Sequence, residues 1–310
     1  MTDLTVAICT YRRGDLLRQT LDSVAAAAPP PGPWELVIVD NACEPAVEGL
    51  VRTYTGRLPA RYVAEPKTGA SHARNRAVEE ARAGVVLFTD DDAIADAGWM
   101  RAMAAAVRDH PECDFWGGRI RPLWAGPKPG WFDEAACPML RDAVVQYDAG
   151  PDPRPWEPGG DTPFFTCNVA LRVSAVRAAG MFDTKLGHVG AVRVGNEDTR
   201  LIEAMSRNGC KGWYEPRAVV DHPVPADRAT PAYALGFARR QGRLSFDLLA
   251  QDHGGRLPRW AYRAAAEQWA GGLARWAGGL LSGDRPRRFA GRMAAANAAA
   301  KLARAVRSGT

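Results

Sequence analysis

Three acids in a row, Asp90, Asp91 and Asp92, directly follow the apolar run Val85-Val86-Leu87-Phe88-Thr89. Side chains alternate across a strand, so Asp90 and Asp92 share a face and Asp91 takes the other. Two convergent carboxylates repel unless a cation lies between them, and hard oxygen donors suit Mg²⁺ or Mn²⁺. The same acids also suit a solvated turn at a strand end. Further along, Gly195-Asn196-Glu197-Asp198-Thr199 opens a helix. Acids there can cap the helix and complement its dipole, or one of them can serve as a general base. His222, within Val219-Val220-Asp221-His222-Pro223, is either a structural histidine or a third metal ligand, because imidazole beside two carboxylates completes a Mn²⁺ site.

Two weaker signals concern phosphate. Lys67 and the helix start Gly69-Ala70-Ser71-His72-Ala73-Arg74-Asn75 offer a cation and free N–H groups, and the helix dipole favours anions there. The cluster Arg239-Arg240-Gln241-Gly242-Arg243 faces either a diphosphate or solvent. GxGxxG, GxxxxGK[ST], HExxH and GxSxG are all missing from the sequence.

These residues need elements to hold them. Leu4 to Cys9, Trp34 to Val39, the short Tyr62-Val63 segment and Val85 to Thr89 read as buried strands. Between them, Leu16 to Val24 and Ser71 to Ala83 have helical spacing. Alternation of this kind predicts a parallel, doubly wound sheet, which binds ligands outside the carboxyl ends of its strands. Three strand ends carry polar residues: Thr10-Tyr11-Arg12, Asp40-Asn41 and Asp90-Asp91-Asp92. Residues 117–165, dense in Gly, Pro and Trp, read as an irregular insertion, and Phe164 to Leu171 returns to strand character. Asp198 to Asn208 reads as a helix with Gly209 past its end, and the chain beyond Pro231 is mostly helical.

Taken in order, the segments resemble the family 2 glycosyltransferases, which have the GT-A fold. The resemblance rests on Ile8-Cys9-Thr10-Tyr11-Arg12-Arg13, Val37-Ile38-Val39-Asp40-Asn41, Gly69 to Asn75 and Leu87-Phe88-Thr89-Asp90-Asp91-Asp92. It continues through Asn168-Val169-Ala170-Leu171-Arg172, Gly195 to Thr199 and Tyr214-Glu215-Pro216-Arg217-Ala218-Val219-Val220-Asp221-His222. It implies an α/β fold with a mostly parallel doubly wound sheet, flanking helices and a C-terminal helical extension. The implied catalytic domain covers 1–245, with a nucleotide-binding half (1–116), an acceptor-binding half (117–245) and a basic helical extension over 246–310.

The same resemblance implies roles. Thr10, Tyr11, Arg12, Asp40, Lys67, Gly69, Arg74, Asp90 and Asp91 would bind the nucleotide, with Asp40 facing its base or ribose. Asp90, Asp92 and His222 would hold Mn²⁺ or Mg²⁺. Asp198 would be the catalytic base, with Glu197 and Asn168 near the acceptor. The donor would be a nucleoside-diphosphate sugar and the acceptor a hydroxyl of a cell-surface glycan, glycolipid or natural product. The QxxRW motif of processive relatives is missing from the sequence, so one sugar per encounter is expected. A single carboxylate base without a nucleophile predicts inversion at the anomeric carbon. The alternatives are a Mg²⁺-dependent phosphohydrolase using Asp90 and Asp92, and a non-catalytic nucleotide-binding or membrane-tethering protein.

Composition narrows the remaining choices. With 310 residues and 46% hydrophobic content the chain can bury a large core, and 24% charged residues exclude a collagen-like or wholly disordered chain. No apolar run approaches the roughly 20 residues of a membrane-spanning helix. Net charge is +5, but residues 255–310 carry +9 and the rest −4. The basicity therefore belongs to the tail, and neither a basic folded body nor a known module indicates nucleic acid. Six scattered cysteines without a CxxC pair and an N-terminus without signal-peptide layout fit a cytoplasmic enzyme. In the tail, Trp269, Leu273, Trp276 and Leu280 share one helical face among Arg263, Arg275, Arg287, Arg288 and Arg292. That face either touches the inner surface of the membrane or packs on the catalytic domain.

Overall fold

The computed structural model describes residues 3–189, 192–193 and 195–307. The chain divides into two compact units, Met1–Pro122 with Val145–Pro223, and Leu123–Val144 with Val224–Thr310. The first begins with β1 (Leu4–Thr10), α1 (Gly14–Ala26), β2 (Trp34–Asp40), α2 (Pro45–Tyr54), β3 (Ala60–Ala64), α3 (Ala70–Glu80) and β4 (Val85–Asp90). Next come β5 (Ile94–Ala95), α4 (Trp99–Asp109), β6 (Phe115–Trp124), α5 (Met139–Ala143) and β7 (Arg154–Trp156). A 3₁₀ turn (Thr166–Asn168) leads into β8 (Val169–Arg172), α6 (Val173–Ala178), β9 (His188–Val189), β10 (Val192–Arg193), α7 (Glu197–Arg207) and β11 (Gly212–Val224). The long helices α8 (Pro231–Asp252), α9 (Arg259–Leu281) and α10 (Arg285–Arg307) follow.

The sheet runs β3-β2-β1-β4-β8-β6-β11-β5, with β7 beside β11. β3, β2, β1 and β4 are parallel, whereas β8 is antiparallel to both β4 and β6. Among the pairings described, the parallel ones join the first four strands. Val6, Ile8, Leu36, Ile38, Val86 and Leu87 in those strands are fully buried, because helices cover both faces of a parallel sheet. Each such side chain withdrawn from water stabilises the fold by about 1.5–3 kcal/mol. After β1 the sheet grows one way through β2 and the other way through β4, so the switch point lies between β1 and β4. Register sets Thr10 beside Asp40 and Cys9 beside Asp90 there.

Three elements differ from the sequence expectation for physical reasons. The helix expected to reach Ala83 stops at Glu80. Glu35 Oε1 accepts the Arg82 N–H (2.8 Å) and Thr5 Oγ1 accepts the Ala83 N–H (3.2 Å), drawing the chain back to the strands. The segment read as irregular from residue 117 begins with ordered strand, since β6 continues to Trp124. Gly117 and Gly118 disguise it: a Cβ on Gly117 would occupy the Phe164 ring, and one on Gly118 the Asn168 amide and Ala218 carbonyl. The strand expected from Phe164 starts only at Val169, behind the 3₁₀ turn.

In the second unit, α8 and α10 bury Ala234, Leu235, Ala238, Phe289, Ala290 and Met293 with residues of α5. Gly272, Gly279 and Gly291 let α9 and α10 approach backbone to backbone. The Arg239–Arg243 cluster lies on α8 in this unit, with Arg240 over the Tyr233 ring at 5.8 Å.

Candidate active site

The site grows from the strand ends. β4 finishes on Asp90, the chain turns, and β5 pairs antiparallel with β11 so that Asp221 lies opposite Ile94. This brings β11 alongside the acidic turn. Alternation on β11 then buries His222 while Asp221 pairs outward with Arg121 at 2.7 and 3.0 Å. One ligand atom each from Asp90, Asp92 and His222 lies within 4.8 Å of the others, and His222 Nε2 is 3.6 Å from Asp92 Oδ1.

Asp91 turns the other way and is buried. Its carboxylate accepts from Thr10 Oγ1 at 2.7 Å and from Arg13 Nη1 at 3.1 Å. Burial pushes its pKa up to about 6, against the opposing pull of Arg13. Arg13 also reaches Asp92 Oδ2 at 3.3 Å, tying the β1 end to the acidic turn. Burial likewise raises the Asp90 pKa, while Arg74 favours its ionised form.

Arg74 joins the two halves of the site. From α3 its guanidinium pairs with Glu197 Oε1 and lies 3.7 Å from Asp90 Oδ1. Their charges hold it firmly protonated despite its burial. α3 also anchors the approach to α7. Asn75 Nδ2 donates to the Phe182 carbonyl and Asn75 Oδ1 accepts the Phe182 N–H, both at 2.9 Å, while Ser71 Oγ donates to the Leu186 carbonyl at 2.8 Å. Asn196 enters α7 with a left-handed φ of +72°, a conformation uncommon outside glycine. The next residues are Glu197, buried with Oε2 unpartnered among the described residues, and Asp198. Asp198 accepts the Thr199 N–H at 2.8 Å and the Thr166 N–H at 3.4 Å. Burial, then the neighbouring Glu197 charge, pushes the Asp198 pKa up to about 7.

The other residues singled out from the sequence fall at the rim or beneath it. Tyr11 and the exposed Arg12 sit at the β1 end, the guanidinium 5.3 Å from the ring centroid, with Arg12 at φ +55°. Asp40 is fully buried and committed to its own loop, accepting the Ala42 and Glu44 N–H groups at 2.9 and 2.6 Å and the Tyr62 hydroxyl at 3.1 Å. Lys67 is exposed, and Gly69 has φ +145° at the start of α3. Both amide protons of Asn168 are taken by the Arg119 and Ala218 carbonyls at 2.9 and 2.8 Å, and its Oδ1 accepts from Trp99 Nε1 at 2.8 Å. Its side chain therefore pins β6, β11 and α4 together beneath the site.

Arg13 and Asn41 carry positions that the sequence did not assign. Asn41 donates to the Glu65 and Lys67 carbonyls at 2.9 and 2.7 Å, and its Oδ1 accepts the Gly69 N–H at 2.7 Å, fixing the loop before α3. Both follow strand ends, and that placement was the available signal.

Among the described residues, Arg13 pairs with Asp91 and Asp92, and Arg74 lies between Asp90 and Glu197. Two carboxylates and an imidazole are ligands that a hard or borderline divalent cation accepts, and His222 Nδ1 has no hydrogen-bond partner among the described residues. The residues fit a divalent cation.

A half-parallel sheet with acids at its switch point, backed by an acidic helix start, is the architecture of GT-A glycosyltransferases, and solved structures of that class match it. A mannosyltransferase from Pyrobaculum calidifontis, solved with GDP-Man and Mn²⁺, superposes with TM-score 0.62 at 19% identity, covering 97% of this chain and 86% of that one. TarS 1-349 from S. aureus with UDP-GlcNAc gives TM-score 0.51 at 15% identity, over 80% and 67%. Among curated proteins, the succinoglycan biosynthesis protein ExoM of Rhizobium meliloti is 28% identical over 83% of this chain and 78% of its own. A glucosyl-dolichyl phosphate glucuronosyltransferase of Haloferax volcanii is 25% identical over 71% and 69%. Residues 5–177 match the profile of glycosyl transferase family 2, and the chain belongs to that family.

Proposed function

We propose that this glycosyltransferase moves one sugar from a nucleoside-diphosphate sugar to an acceptor hydroxyl, with inversion at the anomeric carbon. The observation that carries the reading is the convergence of Asp90, Asp92 and His222 at the β1/β4 switch point, with Asp198 at the helix start that Arg74 ties to it. The nucleotide sugars bound by the mannosyltransferase and by TarS support a donor of this class. The names of the curated relatives support a glycan or lipid-linked sugar as acceptor.

Asp90, Asp92 and His222 would hold Mn²⁺ or Mg²⁺, whose positive charge stabilises the departing diphosphate. Thr10, Tyr11, Arg12 and Lys67 line the edge where the nucleotide enters, while Asp40 and Gly69 shape the loops beneath it. Asp198 takes the proton of the acceptor hydroxyl as that oxygen bonds to the anomeric carbon. The bond to the diphosphate oxygen breaks on the opposite face, and the leaving group keeps the electron pair. Glu197 sits where the acceptor approaches, and Asn168 holds the strands beneath rather than reaching the acceptor. A phosphohydrolase or a non-catalytic nucleotide binder leaves the Glu197–Asp198 helix start without a task. Six free cysteines support a reducing compartment such as the cytoplasm.

Thermal stability against a panel of nucleoside diphosphates, with and without Mn²⁺, tests this reading. Ligand at 100 times its Kd should stabilise by about 2.7 kcal/mol, a melting shift of a few degrees. One nucleotide should act, only with the metal, and Asp92→Ala should abolish the shift. Absence of any shift across the panel would return the weight to the two alternatives.

A further inference from the structure

We propose that the α9 face bearing Tyr262, Trp269, Leu273, Trp276 and Leu280 is an interfacial surface that binds anionic lipid bilayers. The residues recur at spacings of seven, four, three and four, which keeps them on one side of a helix. That side is distinct from the one turned to α10, where Ala261, Ala265, Gly272 and Gly279 are buried. The five large side chains are 37–46% exposed, and between them lie the exposed Ala266 and Ala277. The result is an unpartnered aromatic and aliphatic stripe roughly 27 Å long.

Charge around it identifies the occupant. Arg259 opens α9, the Arg287 guanidinium lies against Gly278 on the side of α9 away from the stripe, and Arg288 follows beside Gly279. All three arginines are exposed. The two acids of residues 255–310 are turned to local tasks. Glu267 pairs with Arg263 at 2.7 Å, and Asp284 accepts the Arg287 N–H at 2.9 Å. Neither acid of this segment therefore lies along the stripe. An apolar stripe on a helix whose other sides carry arginines, within a segment of net charge +9, matches acyl chains beneath phosphate headgroups. A protein partner would need acids placed to meet those arginines, and a second copy of this segment would bring like charges together. No described helix is long and apolar enough to cross a membrane, so α9 would lie in the interface plane.

The test is flotation of the full chain with phosphatidylcholine vesicles, with and without phosphatidylglycerol, in the absence of nucleotide. Binding is expected only with the anionic lipid, weakening as salt rises, with tryptophan emission quenched by brominated acyl chains. Trp269→Ala with Trp276→Ala should lower partitioning by at least ~10-fold at unchanged melting temperature. Arg287→Gln with Arg288→Gln, on the exposed surface, should lower it several-fold and flatten the salt dependence. No flotation at low salt, or binding indifferent to both pairs, would overturn the proposal. So would vesicle-free dimerisation that the tryptophan pair abolishes, since the stripe would then serve a second copy. The nucleotide-dependent melting shift is measured without lipid, so either reading can fail alone.

Discussion

The general-base role proposed for Asp198 calls for a pKa near neutrality. A base near neutrality is ionised often enough to act and basic enough to hold a proton, and burial beside Glu197 pushes this carboxyl up to about 7. With Asp198 as the proposed base its ionised form would be the active one, so kcat/KM should rise with pH through about 7 and level off above it. Asp198→Asn should flatten that profile and lower turnover by roughly 10²–10⁴. The metal-dependent nucleotide shift should survive in this variant, and its loss would place Asp198 in the donor pocket instead. Arg74 makes a separate claim on stability. It is the buried cation between Glu197 and Asp90, so Arg74→Met strands both acids. The expected cost is about 3–5 kcal/mol, read as a lower denaturant midpoint. Unfolding free energies within about 1 kcal/mol of each other would show that solvent already screens the pair.

At the scale of elements, what places the chemistry is strand register and helix entry. The first four strands were legible because each holds a short apolar run, and three of them end on polar residues. Their register then puts Thr10 beside Asp40 and, one residue earlier, Cys9 beside Asp90. β6 was not legible, because Gly117 and Gly118 read as loop when taken alone. Their need appears only once Phe164, Asn168 and Ala218 have arrived from later in the chain. Gly118→Ala should therefore push Asn168 off its two carbonyls and cost about 1–3 kcal/mol by overpacking, with a matching fall in melting temperature. The end of α3 was hidden for a similar reason: Glu35 and Thr5 capture the N–H groups that would continue it.

The whole molecule separates its charge as it separates its units. Residues 1–254 carry −4 and hold the acidic site, while residues 255–310 carry +9. The tail is not a detachable appendage. Ala261 and Ala265 cover Phe246, the Asn297 amide donates to the Ala238 carbonyl at 2.9 Å, and Met293 packs with Leu235. Deleting 255–310 should therefore uncover α8. The truncated chain should bind a hydrophobic dye and lose more helical circular dichroism than the deleted residues account for. A truncated chain with α8 intact and no dye binding would show that α8 and α5 suffice.

The sequence by itself determined which residues could do chemistry and which runs would bury. Residue type sets ligand preference, and local periodicity sets helix or strand. Both are properties of near neighbours in the chain, and so Asp90, Asp92, the Glu197–Asp198 pair and His222 are candidates without coordinates, with the family resemblance pointing to Asp198 as the base. Only the tertiary structure decided which of them meet. β5 had to pair with β11 before His222 could approach Asp92, and Arg74 had to cross from α3 before the two acidic motifs shared a site. It also decided that Asn168 spends its amide holding strands together, and which face of α9 meets α10 and which stays open. Those outcomes depend on contacts between residues far apart in sequence, which no local pattern encodes.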